Sequence, residues 1–358
     1  MSDGAAEVVR ALSAGGLRHA MVPLELTLPT PLLTAFGRLT GRRGWAITLT
    51  GPGGSAGVAE CLPLPEWGTE GHDEAHAALR GWCLEHRAPG PATPAARAAV
   101  ATATELLACV LLGQPLWRWL RGTPGGPPRV ASHRLVAGET PDAVAARAVE
   151  ALAEGYRVVK LKASADIAVV RGCVEAIRGV APTAGIRLDA NGSWSESLAL
   201  EQVGWLRRHG VTLVEQPVPA LDLDALTRLS HAEPDLFAAD EALLVAEAPE
   251  RLLRMAPGST WVLKPAVMGG PRATCNLALR AAEQGIASLV TTFVDGAVGR
   301  ATAAHVAAAV PGGEQATHGL ATGRLVAADA PGWPDLASRL LGETPGLGEG
   351  LDTRPGPA

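Results

Sequence analysis

The sequence predicts an α/β barrel preceded by a smaller α+β lobe. Strand-like and helix-like stretches alternate through the last two thirds of the chain, which indicates parallel strands joined by crossover helices. Charged residues also recur there at gaps of 27, 26, 25 and 24 residues by subtraction, about one strand, one helix and their loops: Lys162, Asp189, Glu215, Asp240 and Lys264. Because barrel strands bring their carboxyl ends to one mouth, we expect these groups to converge.

The lobe is predicted from the first 122 residues, whose pattern differs from the rest. Two strand-like runs, 21–28 and 45–49, indicate an antiparallel sheet, and two helical patterns follow at 74–86 and 94–112. Pro/Gly-rich segments at 27–44 and 62–71 predict loops. The Gly/Pro cluster at 122–128 marks the expected boundary.

The barrel is predicted for residues 123–325. Its strands are expected at 129–136, 158–162, 186–190, 213–215, 236–239, 261–263, 288–292 and 316–319. Helices are expected between them, the clearest at 141–154, 168–178 and 195–209. Residues 326–358 form a separate C-terminal segment, and the Gly- and Pro-rich stretch 342–358 predicts a flexible tail.

Composition excludes several classes of protein. Apolar residues make up 47% of the chain and charged residues 19%, enough to bury a large core. The net charge of −5 and the lack of a basic run argue against nucleic-acid or anionic-membrane binding. Five scattered cysteines without a CxxC pair indicate neither a disulfide framework nor a cysteine zinc site. With no signal peptide and no unbroken apolar run of about 18 residues, we expect a cytoplasmic protein.

The strand period aims polar side chains at the barrel mouth. Lys160 and Lys162 share one strand face, and Arg187, Asp189 and Asn191 share another. Three carboxylates with no nearby histidine or thiolate suit Mg²⁺ or Mn²⁺ rather than zinc. With 36 acids in 358 residues, solvated strand ends remain the alternative, but three at preset positions are unexpected by chance.

This site suits abstraction of a proton next to a carboxylate. A metal-bound carboxylate can carry the negative charge that develops when the α-proton leaves. Burial and a neighbouring cation can lower a lysine pKa enough for it to act as a base, and Lys160 beside Lys162 is such an arrangement. Lys264 is expected on the opposite side of the carboxylates.

The motifs that carry these groups resemble the enolase superfamily, in its muconate-lactonizing subgroup. They are Lys160-Leu161-Lys162, Asp189-Ala190-Asn191, Glu215-Gln216-Pro217, Asp240-Glu241 and Lys264-Pro265. Segments 57–65, 291–299 and 318–323 most resemble the o-succinylbenzoate synthases of menaquinone biosynthesis. Sites of this superfamily use a lysine or histidine base together with Mg²⁺.

The resemblance implies a (β/α)7β barrel under a capping lobe, which the segment after the barrel completes. It implies Asp189, Glu215 and Asp240 as Mg²⁺ ligands, Lys162 as the base, Lys160 as the group that tunes it, and Lys264 as a stabilising cation. The implied hydro-lyase reaction is syn-dehydration of 2-succinyl-6-hydroxy-2,4-cyclohexadiene-1-carboxylate. Predicted substrate contacts are Asn191, Arg187, Thr291, Thr292 and Gly296. Three of these depart from the family pattern: Thr291 and Thr292 replace common serines, and Gly296 replaces a frequent Ser or Thr.

Other readings stay open. Two facing lysines could also racemise N-succinylamino acids, and a muconate cycloisomerase is a further alternative. A dipeptide epimerase is disfavoured because His318-Gly319-Leu320 lacks the Asp-x-Asp pair usual in such enzymes. A non-catalytic barrel that binds Mg²⁺ and a carboxylate, and a homo-oligomeric assembly, are also retained.

Overall fold

The computed structural model describes residues 17–34, 37–85, 91–123, 128–138, 140–255 and 259–326. All but the first residue of the predicted C-terminal segment 326–358, with its flexible tail, therefore lies outside the described residues, as does part of the 122–128 cluster. The predicted boundaries after residues 122 and 325 stay predictions.

The lobe is a three-stranded antiparallel sheet with helices packed on one face. Its strands β1, β2 and β3 are adjacent in chain order and span Arg18–Thr34, Gly37–Thr50 and Ala56–Cys61. Its helices α1, α2 and α3 span His72–Glu85, Pro94–Leu112 and Leu116–Arg121. Alternate β2 residues Trp45, Ile47 and Leu49 are buried against alanines of α2. Gly57 makes this packing possible, since a Cβ there would lie 1.9 Å from the Ala103 carbonyl oxygen.

The prediction of a loop over residues 27–44 was wrong. Strand β1 runs to Thr34 and pairs with β2 as a long hairpin, with a register shift between Thr27 and Leu32. Pro29 and Pro31 fall inside that shift. Because β1 is an edge strand of the sheet, proline N atoms need not donate to a second neighbour, and the strand continues.

Helix α2 is long and apolar, yet it belongs to the lobe's core. Among the described residues it is the one helix whose length and composition would also suit a membrane span. In its most apolar window 61% of the residues are buried inside the protein. Such burial is usual for a core helix.

Among the described residues, parallel strands and seven helices alternate to form the barrel. Strands β5 to β11 form one parallel sheet in chain order: Arg134–Val136, Val158–Lys162, Gly185–Asp189, Val211–Glu215, Phe237–Ala239, Thr260–Leu263 and Ala287–Val290. Helices α4 to α10 span Pro141–Ala153, Ile167–Val180, Glu196–Arg208, Leu223–Ala232, Ala248–Met255, Pro271–Glu283 and Ala297–Ala309.

Two short strands close the barrel. Strand β12, Thr317–His318, pairs in parallel with β4, Ala131–Ser132, which precedes β5. On its other side, Thr291 bridges Gly319, and the Gly319 amide donates to the Val290 carbonyl at 2.9 Å. The predicted (β/α)7β barrel with its capping lobe is confirmed.

Local sequence explains why the strands present their polar side chains inward. In β6, Val159 and Leu161 are buried toward the helices, while Lys160 and Lys162 point the other way. Helix starts are fixed by capping side chains: Thr140 Oγ1, Asp166 Oδ1, Ser195 Oγ and Asp222 Oδ1 each accept a backbone N–H of the helix that follows. These caps begin the helices that follow β5, β6, β7 and β8.

Candidate active site

Each predicted charged group lies at the carboxyl end of its strand. Lys160 and Lys162 belong to β6, Asp189 and Glu215 end β7 and β8, and the remaining two residues, Asp240 and Lys264, directly follow β9 and β10. Strand register puts Lys162 beside Asp189 and Asp189 beside Glu215. The predicted convergence at a single mouth is therefore present in the structure.

The two lysines of β6 differ in their surroundings. Lys160 Nζ lies 2.5 Å from Glu215 Oε2 and 2.9 Å from Asp189 Oδ2, and its side chain is 11% exposed. Lys162 Nζ lies 2.6 Å from Asp189 Oδ2 and 2.8 Å from Asn191 Oδ1, and its side chain is 27% exposed. Lys160 is thus enclosed by carboxylates, whereas Lys162 reaches the open pocket.

Lys264 approaches from the far side of the mouth. Its ammonium donates to Asp240 Oδ1, and both side chains are buried. Gln216 holds Asp240 in place, because its Oε1 accepts from the Asp240 amide at 2.9 Å and from the Ala242 amide at 3.0 Å. Strand β10 lies four strands from β6 in the sheet, so Lys264 faces Lys162 across the pocket.

Burial and mutual charge set the protonation of this cluster. Burial lowers the pKa of Lys160, but Asp189, Glu215 and Asp240 outweigh it, so that pKa lies above its ordinary value. Burial likewise opposes charge on Lys264, and Asp240 and Glu241 raise its pKa overall. Both lysines are therefore held as cations.

The two strand-end carboxylates Asp189 and Glu215 shift in opposite directions. Burial raises the pKa of both, but two lysines bind Asp189 and bring its pKa well below the usual range. Glu215 has one lysine partner and is repelled by Asp189 and Asp240, so its pKa is raised. The cluster therefore has a concentrated negative field that a cation would relieve.

Residues from both the barrel and the lobe form the walls of the pocket. Its volume is about 650 Å³, counting the open mouth. The lobe contributes Leu32 and Trp67 to the lining. The β11 end contributes Thr291, Thr292 and Val294, and the β12 end contributes Gly319 and Thr322. The wall away from the lysines is therefore apolar or hydroxyl-bearing.

Three of the five predicted substrate contacts line this pocket: Asn191, Thr291 and Thr292. Arg187 does not, because its guanidinium turns to the Thr317 carbonyl at 2.5 Å and to His133 Nδ1 at 3.3 Å. Gly296 does not either, since it starts α10 beneath Glu60. A Cβ at residue 296 would lie 2.5 Å from Glu60 Oε1, which explains glycine there.

Glu241 was noted only as part of the Asp240-Glu241 motif, and no role was predicted for it. Its Oε1 accepts from Asn191 Nδ2 at 2.7 Å, while Oε2 is buried and has no hydrogen-bond partner among the described residues. Burial and the neighbouring Asp240 raise the pKa of Glu241 to about 7. Its position next to Asp240 was the one available signal.

A second overlooked signal is lysine usage. The chain contains three lysines, and all three line this pocket; every other basic side chain of the Lys and Arg type is arginine. Arginine supplies charge but cannot give up its proton in a protein, whereas lysine can. Lysine is thus present only where a titratable amine or a compact ammonium lies among carboxylates.

Backbone strain also concentrates at this rim. Among the described residues, four non-glycine residues have positive φ, and three of them follow barrel strands: Asn191 at 43°, Gln216 at 39° and Val294 at 56°. Positive φ is uncommon for glutamine and an outlier for a β-branched valine, whereas asparagine adopts it more readily. Such strain persists where surrounding contacts over-determine the backbone, and it clusters at functional sites.

The residues present fit a divalent cation. Within the described part of the chain, no three His, Cys, Asp or Glu side chains are grouped as a metal cage, and each of the three carboxylates pairs with a lysine ammonium. The donor set is nevertheless all carboxylate oxygen, which suits Mg²⁺ or Mn²⁺. The buried Glu241 Oε2 without a partner and the mutual repulsion at Glu215 both favour added positive charge.

Curated relatives include enzymes of two kinds. A chloromuconate cycloisomerase of Cupriavidus necator is 36% identical over 38% of this chain and 36% of its own length. Two o-succinylbenzoate synthases also match. The one from Thermosynechococcus vestitus is 28% identical over 79% of this chain and 86% of its own. The synthase from Thermobifida fusca is 38% identical over 44% of this chain and 48% of its own length. The matches to the cycloisomerases cover less than half of their length.

Solved structures share the fold over most of the chain. N-succinyl Arg/Lys racemase of Bacillus cereus superposes with a TM-score of 0.77 at 19% identity, covering 87% of this chain and 88% of that one. A dipeptide epimerase of Methylococcus capsulatus, complexed with Mg and a dipeptide, superposes with a TM-score of 0.74 at 26% identity. The match covers 88% of this chain and 92% of that one.

A family match covers more than half of the sequence. The sequence model of the enolase C-terminal domain-like family matches residues 143–354. This span includes the barrel strands β6 to β12 and every charged group of the site. The chain therefore belongs to the enolase C-terminal domain-like family of the enolase superfamily.

Proposed function

We propose that this protein is an o-succinylbenzoate synthase that dehydrates 2-succinyl-6-hydroxy-2,4-cyclohexadiene-1-carboxylate with Mg²⁺ as cofactor. The observation that carries the proposal is the placement of all three lysines of the chain around one carboxylate cluster. The match to an o-succinylbenzoate synthase over 79% of the chain supports this choice of substrate. A small carboxylate substrate and a cytoplasmic location are part of the proposal.

Asp189, Glu215 and Asp240 would hold the Mg²⁺ ion. When bound, the ion supplies positive charge that stabilises the negative charge developing on the substrate carboxylate. Glu241 hydrogen-bonds to Asn191, which in turn contacts Lys162. These two contacts orient the Lys162 side chain toward the pocket.

Lys162 is the base in this proposal because it is the more exposed lysine of β6 and faces the open pocket. As a free amine it removes the α-proton, breaking the C–H bond and becoming an ammonium. That ammonium then returns the proton to the departing hydroxyl on the same face of the ring. One water leaves, and the ring becomes aromatic.

The other two lysines act as fixed charges. Lys160 stays protonated among three carboxylates, so it limits their field around Lys162. Lys264 stays protonated beside Asp240 and offers a cation on the opposite face of the substrate, where negative charge develops.

N-succinylamino acid racemisation is the second candidate. It is favoured by Lys162 and Lys264 lying on opposite sides of the pocket, where one could take a proton and the other return it. A solved racemase of N-succinyl Arg/Lys shares the fold. Dipeptide epimerisation is less favoured, because the β12 wall of the pocket presents Gly319, Ala321 and Thr322 and no described acid for a substrate amine.

One assay separates these candidates. Purified protein with Mg²⁺ is mixed with enzymatically generated cyclohexadiene substrate, and its ultraviolet loss is followed with and without EDTA. N-succinyl amino acids are incubated in D₂O alongside. Metal-dependent dehydration with little deuterium exchange supports the synthase. Deuterium exchange with racemisation and no dehydration would identify the protein as an N-succinylamino acid racemase instead. Inactivity toward both kinds of substrate would reject both proposals.

A further inference from the structure

Arg42 of the lobe reaches into the barrel. Its side chain, on β2, is 4% exposed. One terminal nitrogen, Nη2, donates to the Leu62 carbonyl within the lobe. The other, Nη1, donates to the Phe293 carbonyl and, at 3.3 Å, to the Val294 carbonyl of the loop after β11. One planar guanidinium therefore joins the lobe to that loop.

These two barrel carbonyls flank Val294, one of the residues with strained backbone geometry. The carbonyls of Phe293 and Val294 belong to the peptide units on either side of the Val294 Cα, so fixing both fixes its φ and ψ. Val294 has φ of 56°, which a β-branched residue rarely adopts. The Asp295 carboxylate also accepts the Phe293 amide at 2.7 Å. Strain of this kind needs external contacts to persist, and Arg42 supplies two of them.

The loop held in this way forms one wall of the pocket. Thr291, Thr292 and Val294 line it. The Phe293 ring lies edge-on to Trp67 at 5.3 Å, with the Arg42 guanidinium 5.1 Å and the Lys264 ammonium 5.8 Å from its centroid. A shift of the loop would therefore move both the pocket wall and the surroundings of Lys264.

A second lobe residue holds the same segment. Glu60 Oε1, from β3, accepts the Val298 amide at 3.0 Å in the first turn of α10. Asp295 and Glu60 both favour the charged form of Arg42. Burial lowers the Arg42 pKa to about 10, so it stays protonated at neutral pH.

We propose that Arg42 is a positioning residue for the pocket: from the lobe it holds the strained Val294 turn, and with it the Thr291–Val294 wall and the Phe293 ring next to Lys264. Its role does not require contact with substrate. The effect on turnover rests on the proposed function, whereas the effect on the loop does not.

Hydrogen exchange followed by mass spectrometry tests the loop directly. In Arg42→Met we expect exchange of peptides covering residues 291–298 to rise at least tenfold, with β6 to β8 unchanged. Arg42→Lys should behave similarly, because one ammonium cannot reproduce the planar, bidentate geometry. Arg43→Met is the matched control, since Arg43 is the exposed neighbour on the same strand, and it should leave exchange unchanged.

Coupling to Val294 separates positioning from general stability. Asparagine accepts positive φ more readily than valine. Val294→Asn should therefore lower exchange in the Arg42→Met background by more than it does in the wild type. If the synthase assay works, kcat/KM should fall at least tenfold in Arg42→Met and recover in part in the double variant.

Any of the following results would overturn the proposal: unchanged loop exchange in Arg42→Met, a rise in exchange spread evenly over the whole chain, or equal effects of Val294→Asn in both backgrounds. Full protection in Arg42→Lys would also reject it, because charge alone would then suffice. A wild-type protein inactive toward the cyclohexadiene would count against the proposed function and leave the exchange test intact.

Discussion

Lys162 Nζ lies 2.6 Å from Asp189 Oδ2, across two parallel strands at matched register. Asp189 keeps a second ammonium partner, Lys160, at 2.9 Å. Removing the Lys162 amine therefore leaves this buried carboxylate paired. A substitution of Lys162 can therefore test its catalytic role without removing the ion pair that stabilises Asp189.

Lys162→Ala should lower turnover by about 10²–10⁴-fold, the usual contribution of a general base. Turnover of Lys162→Arg should fall by a similar factor, because a guanidinium keeps its proton and cannot act as a base. Both variants should bind Mg²⁺ and unfold thermally like the wild type, since Asp189 stays paired. Steady-state assays and calorimetry measure these effects. Turnover within tenfold of the wild type would show that Lys162 is not the base.

Asp240→Asn should weaken Mg²⁺ binding, because an amide oxygen is a poorer ligand than a carboxylate for a hard cation. Titration calorimetry with Mg²⁺ measures the change. Asp235→Asn is the matched control, since the Asp235 side chain is 81% exposed and lies away from the pocket lining. Equal affinity in the two variants would contradict the assignment of Asp240 as a ligand.

Reagents that modify amines should react almost exclusively at this site, because all three lysines of the chain lie there. Reductive methylation can modify only the three lysines and the α-amino group, and Lys162 has the most exposed side chain of the three. We expect Lys162 to be modified first, in step with loss of turnover, and Mg²⁺ with substrate to slow both. Peptide mass spectrometry identifies the modified residue. Inactivation that precedes Lys162 modification would contradict the expectation.

Buried neutral histidines should make stability depend on acidity. Burial lowers the pKa of His318 to about 4, and its ring accepts from the Val290 amide and faces the Gly313 carbonyl. Below pH 6.5 the unfolded chain binds a proton that the folded chain does not. The free energy of unfolding should therefore fall as pH drops from about 6.5 to 4, by up to about 1.4 kcal/mol per pH unit.

Denaturant unfolding of the wild type and His318→Gln at several pH values tests this expectation. The variant should be less stable at pH 7 but lose less stability on acidification. His305 is also buried with a lowered pKa, so the variant should retain part of the slope. Parallel pH profiles for the two proteins would rule out His318 as a source.

Gly296→Ala should destabilise the contact between lobe and barrel, because the new methyl would meet the Glu60 carboxylate at 2.5 Å. The carboxylate would have to leave the Val298 amide, and loss of a hydrogen bond to a charged group costs about 1–3 kcal/mol. Gly81→Ala in α1 is the control with opposite sign, since no heavy atom lies within 4 Å of a Cβ there, and alanine favours a helix interior by about 1 kcal/mol. Thermal unfolding compares them; equal shifts would contradict the clash.

Strand period and spacing were sufficient to place the charged groups. Val158–Lys162 was predicted with its observed bounds, because alternation of apolar and basic side chains is a local signal. The metal-ligand candidates followed from barrel geometry. The 27–44 prediction failed because proline content was read as a loop signal, whereas an edge strand with a register shift tolerates proline.

Contacts between distant parts of the chain could not be predicted in this way. Arg187 was assigned to substrate from its strand face, but the Thr317 carbonyl, 130 residues away, binds its guanidinium. Arg42 and Glu60 carry no motif, and their roles come from the loop that meets them only in the folded chain. Gly296 was predicted to contact substrate because its packing against the Glu60 carboxylate was not visible in the sequence.

The contact between Arg42 and Phe293 joins residues 251 positions apart. During translation the lobe strand that carries Arg42 is synthesised well before residues 293 and 294. The contact can therefore form only after almost the whole barrel has been synthesised. Domains tend to fold as units during synthesis, and long-range contacts form late because closing a long loop is entropically costly. Completion of the pocket should therefore be among the last events of folding, after the barrel itself is built.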